Sequence, residues 1–541
     1  MKLITRGFLI MMFLFCTGVQ LQAQKIDWGT EQVSKSKYYL PHIIGEDEEA
    51  VYSYSYERNT LIVEKFSKDK FKRVYKTQFI KPKINKRRIV IESLILMGDH
   101  FVVLASYYDK KTKQNTIVFY KIDKSNGKIV DGHKELFSID VEKKRRRGTF
   151  NVRVTEDDSK ILIQHTGYYK KKDRVIATFK LFNADLEVIE EFTEDFKKRD
   201  KENSIDYISN LVIDNDGSIF YLKLGFENYT IVSLDANKGY EKWEDRVDIE
   251  ELEPRSVISH LRFTFDKKGD LVLFGFYNER KKGLKGVYFS RINNLTKEIE
   301  VSKLSKFDAD FLDQFRSERQ KKKAAKGKKA KDGKLREIFN LIEILPKEDG
   351  GIAVVAESYT YSNTLDYGSV GISNDNEIRE KITYGNMLAI NLSSSGEMLW
   401  AKFLPKNQYF YQQSVMRYFI VGTHGFSFYL PVNSYNYTKY YSYVAAMDKQ
   451  DLIIMFNEHK NNKLNDLKTK KKGMQKVKKS RPVAYLLNLE TGDINMKDVK
   501  NGVSQKTPLA PEMSYKTKDG KMIIVFGQKK KKFTLGKYLL D

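Results

Sequence analysis

Leu261-Arg-Phe-Thr-Phe265, Asp266-Lys-Lys-Gly269 and Asp270-Leu-Val-Leu-Phe-Gly275 follow one another near the middle of the chain. The first segment alternates apolar and polar residues, as a half-buried strand does, and the last is a nearly continuous apolar run, as a strand covered on both faces is. Asp-Lys-Lys-Gly between them supplies the residues a tight turn needs. The same strand, turn and apolar strand recur at 211–222, 341–356 and 513–527. A second kind of hairpin follows, seen in Ile117-Val-Phe-Tyr-Lys-Ile-Asp123 with Ser125-Asn-Gly127, in Ile231-Val-Ser-Leu-Asp235 with Lys238-Gly239, and in Met387-Leu-Ala-Ile-Asn-Leu392 with Ser395-Gly396. Two hairpins in succession make a four-stranded unit. Its repetition along one chain predicts an all-β radial array, a β-propeller of four-stranded antiparallel blades.

The repeat can be counted. The third strands begin near Leu61, Ile117, Ile176, Ile231, Val287, Leu388 and Ala484, with early steps of roughly 55 to 60 residues, the length of a large blade. The two longer later steps contain basic or Tyr-rich insertions near 306–335, 358–386 and 457–481. The segment 417–430 is a further hairpin, and Asp451-Leu-Ile-Ile-Met-Phe456 is a good strand. Eight blades are preferred, with seven as the alternative. The chain ends in Phe533-Thr-Leu-Gly-Lys-Tyr-Leu-Leu540, a third strand with no fourth after it, whereas Trp28 to Val33 precedes the first unit without a partner. Pairing the two would close the ring and bury two open edges.

Residues 1–23 are expected to be a signal peptide: Lys2 and Arg6 precede the apolar run Phe8-Leu-Ile-Met-Met-Phe-Leu-Phe15, and Leu21-Gln-Ala23 forms a cleavage site. Residues 24–541 then form a single propeller domain. Cys16 is the only cysteine, so the mature chain has no disulfide and no thiol nucleophile. Export without disulfides points to a bacterial envelope, at the periplasm or the outer-membrane surface.

Asn391-Leu-Ser-Ser-Ser-Gly-Glu-Met-Leu-Trp400, and the shorter Gly239-Tyr-Glu-Lys-Trp243, place a Trp after a Gly turn. This resembles the repeat of quinoprotein-like propellers. With its Leu-Gln-Ala-Gln leader, the whole chain is similar to exported propeller proteins of Bacteroidota. The resemblance implies fold and compartment; no quinone or metal site of that family is matched, and no cofactor is expected.

The motifs for chemistry are sparse. Asp214-Asn-Asp-Gly217 lacks the further oxygen ligands of a calcium loop and is a plain turn. The seven histidines have no paired metal-ligand spacing, and no nucleophile elbow, phosphate loop or dinucleotide fingerprint occurs. Glu357, ending the strand Ile352-Ala-Val-Val-Ala356, is placed at the channel mouth.

Charge carries more. The formal net charge is +25, and the blade scheme sorts it: connections from second to third strands and from one blade to the next emerge on one face. That face receives Lys81 to Arg88, Arg145, Arg146, Arg147, Lys170, Lys171, Lys172, Lys321, Lys322, Lys323, Lys470, Lys471 and Lys472, with Tyr435, Tyr437 and Tyr440 beside them. The opposite face receives Glu46-Asp-Glu-Glu49, Glu156-Asp-Asp158 and Asp214 to Asp216. The expected function is a non-enzymatic binding or scaffold propeller whose basic, Tyr-rich face engages an acidic protein, an anionic glycan or lipopolysaccharide, a role compatible with peripheral membrane association. Export argues against nucleic acid as the native partner. The alternative is an envelope hydrolase or lyase acting on an anionic polysaccharide.

Overall fold

The structure is a computed structural model. It describes residues 25–540 except 36–38, 40, 58–59, 80–82, 85, 171–172, 198–206, 225–228, 248–255, 280–282, 316–321, 324, 327–334, 336, 367–375, 422–423, 432–437, 468–470 and 502–506. Eight antiparallel sheets follow one another around a ring. Blade 1 comprises His42–Glu46, Ala50–Glu57, Thr60–Ser67 and Arg73–Phe79. Blades 2 to 7 occupy 90–140, 149–197, 207–246, 256–306, 339–404 and 443–498, and blade 8 the C-terminal 515–539. The first strands of successive blades from 1 to 7 lie side by side around the central channel.

Each blade has two faces, and each face is covered by a neighbouring blade. The second and third strands are therefore apolar almost throughout, as at Phe101–Ala105, Ile161–Ile163 and Ile523–Phe526, all buried. The buried apolar residues described fall into eight clusters, seven of them shared by two adjacent blades and one joining blades 8 and 1 with the blade 6 extension and the loops of blade 7: Val103 of blade 2 packs with Val63 of blade 1, Phe182 of blade 3 with Phe119 of blade 2, and so on around the ring. Fourth strands have one open side and are correspondingly polar, as in Val-Ile-Glu-Glu-Phe-Thr-Glu-Asp-Phe-Lys at Val188–Lys197. Trp400 links blade 6 to blade 7: its indole Nε1 donates to Leu489 O at 3.1 Å.

The hairpin near 417–430 is not a blade. Gln408–Val421 pairs with the prolonged third strand of blade 6, Asn376–Leu392, and His424–Pro431 pairs with Gln408–Val421, so blade 6 is extended into a protruding sheet. Asp451–His459 is the second strand of blade 7. The Asp214 to Gly217 segment is a turn closed by Gly217 N–H to Asp214 O at 2.9 Å, and the Asp216 carboxylate accepts from Ser218 N at 2.6 Å.

The ring closes through the N-terminus. Lys25–Trp28 and Gln32–Val33 pair antiparallel with Lys532–Leu539, with Asp27 opposite Lys537 and Gln32 opposite Phe533. They form the fourth strand of blade 8. Between them Thr30 N donates to Lys70 O at 2.7 Å, and Gln32 Nε2 donates to Phe71 O at 2.8 Å, which ties the strand to blade 1. The Trp28 ring lies over Gly527 and Gly536; a Cβ at either glycine would come within 2.8 Å of it.

Deleting residues 25–35 therefore lowers the melting temperature far more than loss of an exposed tail would. Trp28→Ala alone costs about 2–3 kcal/mol in denaturant titrations. An unchanged midpoint for the deletion excludes the strand as the ring closure.

Candidate functional site

Alternate connections of an antiparallel blade emerge at opposite ends, so the turns and connections divide into two faces. On one face, tight Asp- and Gly-rich turns hold their lysines against carboxylates. Lys68 meets Glu46 at 2.6 Å, Lys124 meets Asp47 at 3.1 Å, and Lys518 of blade 8 reaches Asp158 of blade 3 at 2.5 Å. Charges on this face are largely neutralised locally.

The other face differs between blades 2 and 3. A cleft of about 1290 Å³ is lined, among the described residues, by Arg87, Arg88, Lys110, Lys113, Lys143, Lys144, Arg145, Arg146, Arg147 and Lys170, with Tyr108 and one carboxylate, Glu142. Glu142 is engaged by Arg146 at 2.8 Å, and Arg87 pairs with Asp109 at 2.8 Å. Among the described residues no carboxylate forms an ion pair with the other eight cations.

The walls of this cleft are held by the strands beneath them. The connection carrying the arginines includes a short 3-10 turn, Lys144–Arg146. Its start is fixed by Val141 N–H to Lys113 O at 2.9 Å. Its end is fixed at the Arg147 carbonyl, which accepts from Asn115 Nδ2 at 3.0 Å and from His165 Nε2 at 2.8 Å. Burial holds the His165 ring below the usual histidine range, so it is neutral and offers one N–H to that carbonyl. Gly148 follows in the left-handed region at φ 77°, and a Cβ there would sit 2.4 Å from His165 Nε2. Tyr169 OH donates to Asp140 O at 2.7 Å, drawing the Lys170 turn to the same wall. An array of like charges is thus kept close by backbone anchors, at an electrostatic cost that a bound anion would relieve.

Of the residues singled out from sequence, Arg145, Arg146, Arg147 and Lys170 come together here. Arg87 and Arg88 join them from the small hairpin of Lys83–Ile84 and Arg87–Arg88. Lys110 and Lys113 join from a turn that drew no notice in the sequence, although its Lys110-Lys111 and Lys113 were a visible signal. Lys322 and Lys323 are exposed on the connection between blades 5 and 6, and Lys472 is exposed on blade 7, all away from this cleft. Lys171, Lys172, Lys321, Lys470, Tyr435 and Tyr437 lie outside the described residues. Lys471 is buried and meets Glu458 at 3.4 Å. Tyr440 is buried too, its hydroxyl donating to Gln528 O at 3.2 Å.

Glu357 belongs to a buried polar seam. It is fully buried; Oε1 accepts from Lys406, also buried, and Oε2 accepts from Ser442 Oγ at 2.5 Å. Ser442 N donates to Gln408 Oε1 at 2.8 Å, and Gln408 Nε2 donates to Asn457 O at 2.6 Å. Above the seam, Tyr359, Tyr384 and Phe410 of the extended blade 6 pack with Tyr440 and Tyr441 against blades 8 and 1. At its far end Lys439, 1 % exposed, donates to Tyr39 O at 2.8 Å and to Gln528 Oε1. Among the described residues it has no carboxylate in ion-pair range.

The fold and this cleft together define an eight-bladed β-propeller with one strongly cationic loop cleft. No protein-family model and no curated protein matches the sequence. Solved structures that resemble it include an uncharacterised protein from Listeria monocytogenes (9% identity, TM-score 0.33, 83% of this chain and 91% of that one). Others are the WD40 domain of SCAP from fission yeast (8%, 0.36, 94% and 98%) and the Dos1 propeller (9%, 0.32, 86% and 96%). At such scores the likeness carries no argument, and the propeller rests on the strand pairing of this chain.

Burial pushes the Lys439 ammonium down to about 7, opposed by the charge of Glu512. The unfolded chain, with an ordinary lysine, binds more protons between that value and about 10.4, so stability rises with pH across this window. The expected slope above neutrality is at most about 1.4 kcal/mol per pH unit. Lys439→Met flattens that rise in chemical denaturation measured from pH 7 to pH 9. Equal slopes in the two proteins exclude Lys439 as its source.

Proposed function

We propose that the protein is an exported, non-enzymatic binding propeller of a bacterial envelope, and that its basic cleft holds a phosphate- or sulfate-bearing glycan or glycolipid. One observation carries this reading: among the described residues, ten cationic side chains line a single cleft with one carboxylate, Glu142. Arg88, Arg145 and Arg147 offer planar forks suited to two oxygens of one tetrahedral anion, and the lysines add point charge around them. Tyr108 supplies an amphipathic ring at the wall. The leader at 1–23 and the Gly-turn and Trp motif, similar to that of bacterial quinoprotein-like propellers, support export from a bacterium. N-terminal sequencing of the native protein is expected to begin at Gln24.

Each exposed cation contributes little and is screened beyond roughly 8 Å at physiological salt, so binding is additive and salt-sensitive. Replacing Lys143, Lys144, Arg145 and Lys170 together with Ser weakens binding to heparin or lipopolysaccharide about tenfold or more. The melting temperature changes little, because all four are exposed. The matched control removes Lys128, Lys268, Lys449 and Lys521, exposed on the opposite face. Equal weakening by both sets, or affinity that does not fall as sodium chloride rises, rejects the cleft. Tighter binding of polyglutamate than of either glycan probe assigns the cleft to an acidic protein instead.

A further inference from the structure

A second cleft, of about 1200 Å³, opens between blades 6 and 7 beside the helix Ala309–Asp313. Its character is opposite to that of the basic cleft, because most of its described ionisable groups are neutralised or otherwise engaged. Lys406 is paired with Glu357, and Lys471 with Glu458 at 3.4 Å. The Asp308 carboxylate caps the helix by accepting from Phe311 N at 2.5 Å. Asp310 and Lys402 remain, with opposite signs.

Glu337 stands in the wall. Asn386 Nδ2 donates to its Oε1 at 2.6 Å, and Asn386 Oδ1 accepts from Lys406 N at 3.0 Å, so the amide is locked in one orientation. Glu337 Oε2 is buried and has no hydrogen-bond partner among the described residues. Burial raises the carboxyl above the usual range, which favours its uncharged form. The opposing wall is aromatic: Phe311 and Phe315 have ring centroids 5.5 Å apart, and Phe315 and Phe403 meet edge to face at 4.9 Å.

We propose that this cleft binds an uncharged oligosaccharide. Sugar rings present C–H faces that suit phenyl faces, and hydroxyls that both donate and accept, as the Gln314 and Asn407 amides of the lining do. Among the described residues the lining holds no unpaired cationic cluster, which favours an uncharged chain over a phosphorylated or sulfated one. Its volume exceeds the range of roughly 300–1,000 Å³ that holds drug-sized ligands, leaving room for several sugar rings. The proposal uses none of the residues of the basic cleft.

Saturation-transfer NMR on the full mature chain tests it, with maltotetraose, cellotetraose and chitotetraose as neutral probes and a heparin tetrasaccharide as the charged one. At least one neutral probe is expected to receive saturation. Thr383→Arg, which fills the cleft from a half-buried position, abolishes that signal, and Phe315→Ser weakens it; removing Lys143, Lys144, Arg145 and Lys170 leaves it unchanged. Melting curves of both variants establish that they are folded, and if Phe315→Ser does not fold, Thr383→Arg alone decides. Absence of transfer to every neutral probe, or transfer that survives in Thr383→Arg, overturns the proposal. Transfer confined to the heparin probe and lost with the four cations overturns it while leaving the basic cleft standing.

Discussion

The structure depends on the burial of both faces of every blade. A four-stranded sheet with apolar residues on two sides is stable only between two neighbours, and an open row of such sheets would leave its terminal faces and edges exposed. Closing the row into a ring removes those ends. The closure is made by Lys25–Trp28 and Gln32–Val33, which complete blade 8 and also bond to blade 1. Chain ends separated by the whole sequence thereby become neighbours within one sheet, and the eight inter-blade clusters form a continuous belt.

That belt lets the loop face carry unfavourable arrangements. Eight cations around one cleft, without a carboxylate in ion-pair range among the described residues, repel each other, and an unsupported loop would swing them apart. Here Asn115 and His165, both on blade strands, hold the Arg147 carbonyl, while Lys113 O holds Val141. On the opposite face the turns are short, and Lys68, Lys124 and Lys518 each meet a carboxylate, Lys518 across the ring on blade 3. The polarity of the molecule is therefore a difference in local pairing more than in the number of lysines.

The buried seam under blade 6 follows another logic. Glu357 and Lys406 are costly to desolvate singly, and together with Ser442 each is satisfied. Removing either partner would strand a buried charge, whereas exchanging both for apolar residues of similar volume would cost much less. The seam joins the extended hairpins of blade 6 to blades 7 and 8, so it fixes the position of the aromatic cap formed by Tyr359, Tyr384 and Tyr441.

Local pattern determined most of the architecture. Strand periodicity, Asp and Gly turns and the unpartnered segments at the two ends were enough to specify four-stranded blades, a preferred count of eight and closure by the N-terminal strand, because blades and turns are encoded by residues adjacent in the chain and each end segment lacks a partner nearby in sequence. The clustering of Arg145 to Arg147 with Lys170 was also legible, since blade topology alone assigns their connections to one face. What tertiary structure decided was which loops meet and which polar groups are buried. Tyr440 and Lys471 look like surface residues in sequence, yet packing of the blade 6 hairpins and the blade 7 loop encloses them. Glu357 finds Lys406 across 49 positions, and Gln408–Val421 adds to blade 6 and forms no blade of its own. Such pairings depend on distances between blades, which no local periodicity encodes.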